Sequence, residues 1–154
     1  MIDRDLLLAK ASRAYDFLRR IQEKKSVTLD EFLGDLDRQE SILFNLQMAI
    51  QNCIDMAAHI ISDEQLGVPG STNEMFYMLQ DHAYLTPRLA GKMVAAVGFR
   101  NLIVHHYGNI DLKKVYEIAQ RDIGDLEEYL RAILKKCRMD LKSAKIRKTR
   151  KSSR

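Results

Sequence analysis

Apolar residues recur every three or four positions along most of the chain, and that period leaves room for little except helices packed on one another. The longest run, from about residue 38 to 62, carries Leu43, Leu46, Ile50, Cys53, Ala57 and Ile60 on one stripe, the seam of a helical bundle. Residues 3 to 24 repeat the arrangement with Leu7, Ala11, Ala14, Leu18 and Ile21. Lys24 and Lys25 close that helix, where cations favour a C-terminus. No stretch sustains the period-two alternation of a half-buried strand, and there is no internal repeat.

The interruptions are specific. Thr28-Leu29-Asp30-Glu31 is a capping box opening a short helix near 29–36. Gly67-Val68-Pro69-Gly70 breaks the chain, and Ser71-Thr72-Asn73-Glu74 starts a helix that runs through about Gln80. Thr86-Pro87 pairs a cap with proline at the first helical position, where the missing N–H costs nothing; its helix runs to Arg100 or a little beyond. Asp111 caps a last long helix with the stripe Val115, Ala119, Ile123, Leu126, Leu130, Ile133 and Cys137. Gly124 inside that stripe is expected to cost about 1 kcal/mol against alanine. Gly91 and Gly98, seven apart in a helical pattern, suggest close packing. The expected fold is all-α: an antiparallel up-down bundle of four main helices plus one or two short ones.

Charge divides the chain. The net charge is +4, yet from Arg138 onward eight Lys or Arg face a single acid, Asp140. That end carries +7 and residues 1–137 carry −3. The reading is a domain over 1–141 and a basic, flexible tail over 142–154, which either attracts polyanions by counterion release or merely solubilises the end. The charged start, Met1-Ile2-Asp3-Arg4-Asp5, is not a signal peptide, and no segment approaches the roughly 18 uninterrupted apolar residues of a membrane span. A soluble, cytoplasmic protein is expected. Cys53 and Cys137 fall on core stripes and read as buried thiols rather than a disulfide.

Side chains able to do chemistry gather in Arg100-Asn101-Leu102-Ile103-Val104-His105-His106-Tyr107. The stripe Leu89, Met93, Val97, Arg100, Val104, Tyr107 sets Arg100 on the core-facing side, where a guanidinium needs an anion or a dense set of acceptors. A structural ion pair with Asp55 or Glu64 would serve. Five residues separate Arg100 from His105, about 140° on an ideal helix, so an intact helix does not aim both at one point. Either the helix loosens near Val104, as Gly108 and Asn109 suggest, or a second chain completes a site. His105 and His106 are adjacent and point different ways, so only one serves, with His106 as spacer. His59 and His82 read as structural or exposed, and Asp55 and His59 are spaced to hydrogen-bond. Metal-ligand spacings are missing: there is no Glu-x-x-His repeat, no His-Glu-x-x-His and no Cys-x-x-Cys. Gly-x-Gly-x-x-Gly and Walker loops are missing too.

Arg100-Asn101-(Leu-Ile-Val)-His105-His106-Tyr107 resembles the R-x4-H-x-Y motif of HEPN-domain ribonucleases, and the chain is similar to the HepT toxins. The likeness extends through Ala49-Ile50, Asp55 to Ile61, Val97 to Phe99, Ile110-Asp111 and Val115-Tyr116, covering roughly residues 3 to 137. The resemblance implies a dimer in which two copies of the motif face each other across a cleft. It implies metal-independent, cofactor-free RNA cleavage by attack of the ribose 2′-hydroxyl on the adjacent phosphate. His105 would move protons, since an imidazole titrates near cytoplasmic pH. Arg100 would hold the developing charge of the phosphorane, with Asn101 and Tyr107 in support. It further implies a type VII toxin–antitoxin pair with an MntA-like nucleotidyltransferase. That antitoxin would attach AMP to Tyr107 and fill the phosphate site with a competing anion. Two other readings stand beside it. One is a non-enzymatic helical module that binds nucleotide or RNA and a minimal nucleotidyltransferase. The other is a purely structural role, with Arg100 paired to a core carboxylate.

Overall fold

The structure, a computed structural model, describes residues 1–141. Along that span run α1 (Arg4–Lys24), α2 (Leu29–Leu33), α3 (Leu36–Asp63), α4 (Thr72–Asp81), α5 (Pro87–His105), a 3-10 turn (Tyr107–Asn109), α6 (Leu112–Arg121) and α7 (Ile123–Lys136). The described residues contain no strand, and no helix among them is long and apolar enough to cross a membrane. The basic tail expected over 142–154 lies outside the described residues.

Side-chain caps set the helix starts. Asp3, Thr28, Asp35, Ser71, Thr86 and Asp111 each accept a backbone N–H of the following turn, satisfying donors that no helical carbonyl can reach. At α2 the capping box is modified: the Thr28 hydroxyl donates to the Glu31 carboxylate at 3.1 Å, while Glu31 N–H donates back to Thr28 Oγ at 3.2 Å. Several helix ends are held by side chains far away in sequence. Arg4 donates to the carbonyls of Cys137 and Arg138, both at 2.9 Å, placing a cation at the C-terminus of α7. Arg38 reaches Lys24 O at 2.6 Å, Gln120 reaches Lys25 O at 2.7 Å and Tyr116 reaches Val27 O at 2.8 Å.

α1 lies antiparallel along α3, in the most extensive helix pairing of the fold. The Met1 ammonium donates to Asp63 O at 3.0 Å, and farther along Lys10 meets Asp55 at 3.1 Å. All the seam residues read from sequence on α1, α3, α6 and α7 are buried. Burying each Leu or Ile of that seam contributes roughly 1.5–3 kcal/mol, which is why the stripe dictates the packing. Tyr129, fully enclosed, donates to Cys53 O at 2.9 Å and meets Phe76 edge-on at 5.8 Å. Cys53 and Cys137 are free and buried, as expected, and burial pushes both thiols up from their ordinary pKa.

The last long helix is not continuous. It divides at Asp122 into α6 and α7, where Asp125 N–H bonds Asp122 O at 3.0 Å in a tightened turn. Asp122 keeps right-handed helical angles, φ −86° and ψ −13°, so the apolar stripe continues through the break. Gly124 therefore sits in the first turn of α7 rather than in a helix interior.

Candidate active site

α5 carries the Arg100–Tyr107 segment to its last turn. The helix holds through His105, and His106 N–H still bonds Leu102 O at 2.9 Å, so of the two alternatives the loosening near Val104 does not occur. The chain leaves the helix at His106, with φ −133° and ψ 36°, into a turn closed by Asn109 N–H on His106 O at 2.9 Å. Leu89, Ala90, Met93, Val97 and Ile103 face the core. Val104 and Tyr107, expected on the same buried stripe, are 41% and 54% exposed. Val104 is still in the helix and is left uncovered on its last turn, whereas Tyr107 lies beyond the end of α5, in the 3-10 turn, and so leaves the stripe.

Arg100 is half-buried. Its Nη1 donates to Asn101 Oδ1 at 3.3 Å, while its Nε is enclosed with no hydrogen-bond partner. None of the ion pairs among the described residues includes it. The ion pair expected with Asp55 or Glu64 is not formed: Asp55 accepts from Lys10 at 3.1 Å and from Gln51 at 2.9 Å. Those partners also replace the expected Asp55–His59 bond. His82 is occupied locally, with Nδ1 2.9 Å from Met78 O. A half-buried guanidinium with an unfilled donor and no carboxylate favours an anion arriving from outside.

Asn101, His105, His106 and Tyr107 are exposed. The structure brings Asn101 to Arg100. Arg100 and His105 leave the unbroken helix about 140° apart, and no hydrogen bond among the described residues joins them. Among the described residues no group of three or more His, Cys, Asp or Glu is placed to hold a metal.

Alongside α5 lies a cavity of about 430 Å³, bounded by α3, α5, α6 and α7. Sequence reasoning did not anticipate it; the only signal was the small residues Ala95 and Gly98 on one helix face. The close packing expected at Gly91 and Gly98 is absent, since a Cβ added at either would meet nothing within 4 Å. Both lie on the open side of α5, and Gly98 lines the cavity.

The fifth helix of the bundle thus carries Arg100 and His105 in its last two turns, with Tyr107 in the 3-10 turn just beyond, the Arg-x4-His-x-Tyr order in which the sequence resembles HEPN ribonucleases. The Ribonuclease HepT-like family model matches residues 13–133. The mRNA nuclease HepT of Shewanella oneidensis is 31% identical over 129 residues, covering 84% of this chain and 96% of that protein. The tRNA nuclease HepT of Aphanizomenon flos-aquae is 29% identical over 117 residues, covering 76% and 80% respectively. Among solved structures, the tri-AMPylated Shewanella oneidensis HEPN toxin in complex with MNT antitoxin superposes with a TM-score of 0.77. It is 31% identical, and the match covers 86% of this chain and 98% of that one. The chain belongs to the HepT-like ribonuclease family and is, by that membership, an RNA-cleaving enzyme.

Proposed function

We propose that this chain is the toxin ribonuclease of a toxin–antitoxin pair, acting in the cytoplasm through Arg100 and His105 of residues 1–141. The observation that carries the reading is the state of Arg100: half-buried, with a free donor, no carboxylate partner and Asn101 holding its other end. In the reaction the ribose 2′-oxygen bonds to the adjacent phosphorus and the P–O5′ bond breaks. A 2′,3′-cyclic phosphate and a 5′-hydroxyl end are left. The 2′-hydroxyl gives up its proton and the leaving 5′-oxygen gains one; the exposed imidazole of His105 is suited to one of these transfers, worth roughly 10² to 10⁴ in rate. Arg100 stabilises the charge gathering on the phosphoryl oxygens, a contribution of roughly 10² to 10³. No step requires a metal or cofactor.

Two copies form the working enzyme. Because α5 stays intact, Arg100 of one copy and His105 of the other complete each site, with the ends of the two α5 helices facing across the RNA. Regulation falls on Tyr107, whose phenol is 54% exposed and hydrogen-bonds to no described residue. The antitoxin is a nucleotidyltransferase of the MNT kind. Adenylates attached to Tyr107 put phosphate charge where RNA phosphate binds.

Arg100→Ala and His105→Ala, assayed on RNA in EDTA, each lower cleavage by about a hundredfold or more, with helical content preserved. Cleavage at the wild-type rate in either variant overturns the assignment, and loss of wild-type cleavage in EDTA overturns the metal-free chemistry. For the switch, intact mass after co-expression with the antitoxin rises by adenylate increments in wild type and not in Tyr107→Phe. Equal increments in both place the modification elsewhere.

A further inference from the structure

We infer that the cavity between α5, α6 and α7 is a nucleobase subsite, holding the base of the RNA nucleotide next to the phosphate that is cut. The inference rests on His105 lying at the reacting phosphate. Gly98, Leu102 and His105 follow one another at spacings of four and three, so they share one face of α5. Gly98 and Leu102 line the cavity, and His105 stands just beyond it, about 4.5 Å farther along the helix axis than Leu102. Arg100 is not among the residues that line the cavity. A strand with its phosphate at His105 therefore has a neighbouring base within reach of the cavity.

The lining suits a base better than a peptide side chain. Phe99, Leu102 and Ile118 give an apolar floor of the kind on which a base's flat face rests without regard to sequence. At the mouth Lys92 and Lys114 are exposed, and neither belongs to any ion pair among the described residues. Asp125, one of two acids in the lining, is engaged by Arg88 at 3.7 Å, and two ammoniums outside any ion pair at an apolar slot match the pattern of a nucleotide, apolar faces flanked by anionic phosphate. Asp122 is also exposed at the mouth and makes no capping bond, so its carboxylate is available to an exocyclic amino group or a ribose hydroxyl. The volume, about 430 Å³, falls in the range of small-ligand pockets. The missing Cβ at Gly98 and the short side chain of Ala95 keep the slot open on the α5 side.

The subsite can be tested without cleavage. Full-length protein labelled with ¹⁵N is titrated with the four nucleoside 5′-monophosphates and, in parallel, with ribose 5-phosphate. Saturable shifts of the Ala95, Gly98 and Leu102 amides with the nucleotides, weaker or absent with ribose 5-phosphate, are expected. Ala95→Trp fills the slot from an exposed position; it abolishes those shifts while its spectrum stays dispersed. The same variant raises KM for RNA about tenfold or more, the usual worth of one base contact, with kcat within about threefold. The proposal is overturned by shifts of equal size with ribose 5-phosphate, by no saturable shift in this region, or by Ala95→Trp retaining KM. A change of oligomer mass in Ala95→Trp also overturns it, by marking the slot as a contact between copies. Failure of His105 as a catalytic residue would appear only in the cleavage assay and leaves the titration unaffected.

Discussion

Arg88 and Arg100 stand near opposite ends of α5 and are treated in opposite ways. Arg88, in the first turn, is exposed and faces two carboxylates of α7, bonding Glu128 and lying 3.7 Å from Asp125. Its presence holds the Glu128 carboxyl below its ordinary pKa, chiefly through that hydrogen bond. Arg100 is more deeply set and has only a neutral amide for company. Burial without neutralisation is the costly choice for a cation, so a fold that keeps it there has left a place for an anion. The arginine that is satisfied holds two helices together; the one that is not is the one proposed to meet the RNA phosphate.

The largest contrast between them is in activity. While Arg100→Ala is expected to remove nearly all cleavage, Arg88→Ala is expected to leave it within about twofold, since a solvent-screened pair so far from the motif alters neither RNA nor proton transfer. The Arg88 variant differs instead in its acid limb. Because the folded Glu128 pKa is depressed, the pair's contribution is present above the unfolded carboxylate pKa and is lost as pH falls through the folded value. Thermal melts of wild type and Arg88→Ala should therefore differ at neutral pH and converge toward acid. An Arg88→Ala enzyme as dead as Arg100→Ala would erase the distinction between the two residues.

A smaller effect sharpens the same contrast along the length of α5. Gly91 and Gly98 are both helical with open space at Cβ, so alanine at either should stabilise the protein by up to about 1 kcal/mol in denaturant melts. Only Gly98 lines the slot, so only Gly98→Ala should also weaken nucleotide binding, and by no more than a few-fold. Equal effects on binding would mean that the slot does not engage RNA.

Much of this was legible in the sequence, and the parts that were not share a cause. The seams of α1, α3, α6 and α7 were readable because helical periodicity and core burial are the same fact seen twice. The caps at Thr28, Ser71, Thr86 and Asp111 were readable because each donor–acceptor pair is local. The Arg100–Tyr107 segment stood out because its residue types conflict with the stripe they occupy. Periodicity, however, gives a face and not what covers it. Val104 kept the phase of the core stripe and still came out exposed, while Tyr107 left that stripe because the helix ends before it. Gly91 and Gly98 had the spacing of packing glycines and met open space. The break at Asp122 was invisible because a residue with right-handed helical angles carries the stripe across it. Tethers such as Arg4 to Cys137 depend on contacts between the two ends of the described chain, which no local pattern encodes.

The central claim is that one intact α5 does not complete the site, so that Arg100 of one copy works with His105 of another. Co-expression of Arg100→Ala and His105→Ala chains, each inactive alone, tests it most directly. In a mixed dimer one composite site keeps both wild-type residues, and random pairing should restore about a quarter of the wild-type cleavage per chain. A co-expressed sample that forms mixed dimers yet remains as inactive as either variant alone would contradict the account.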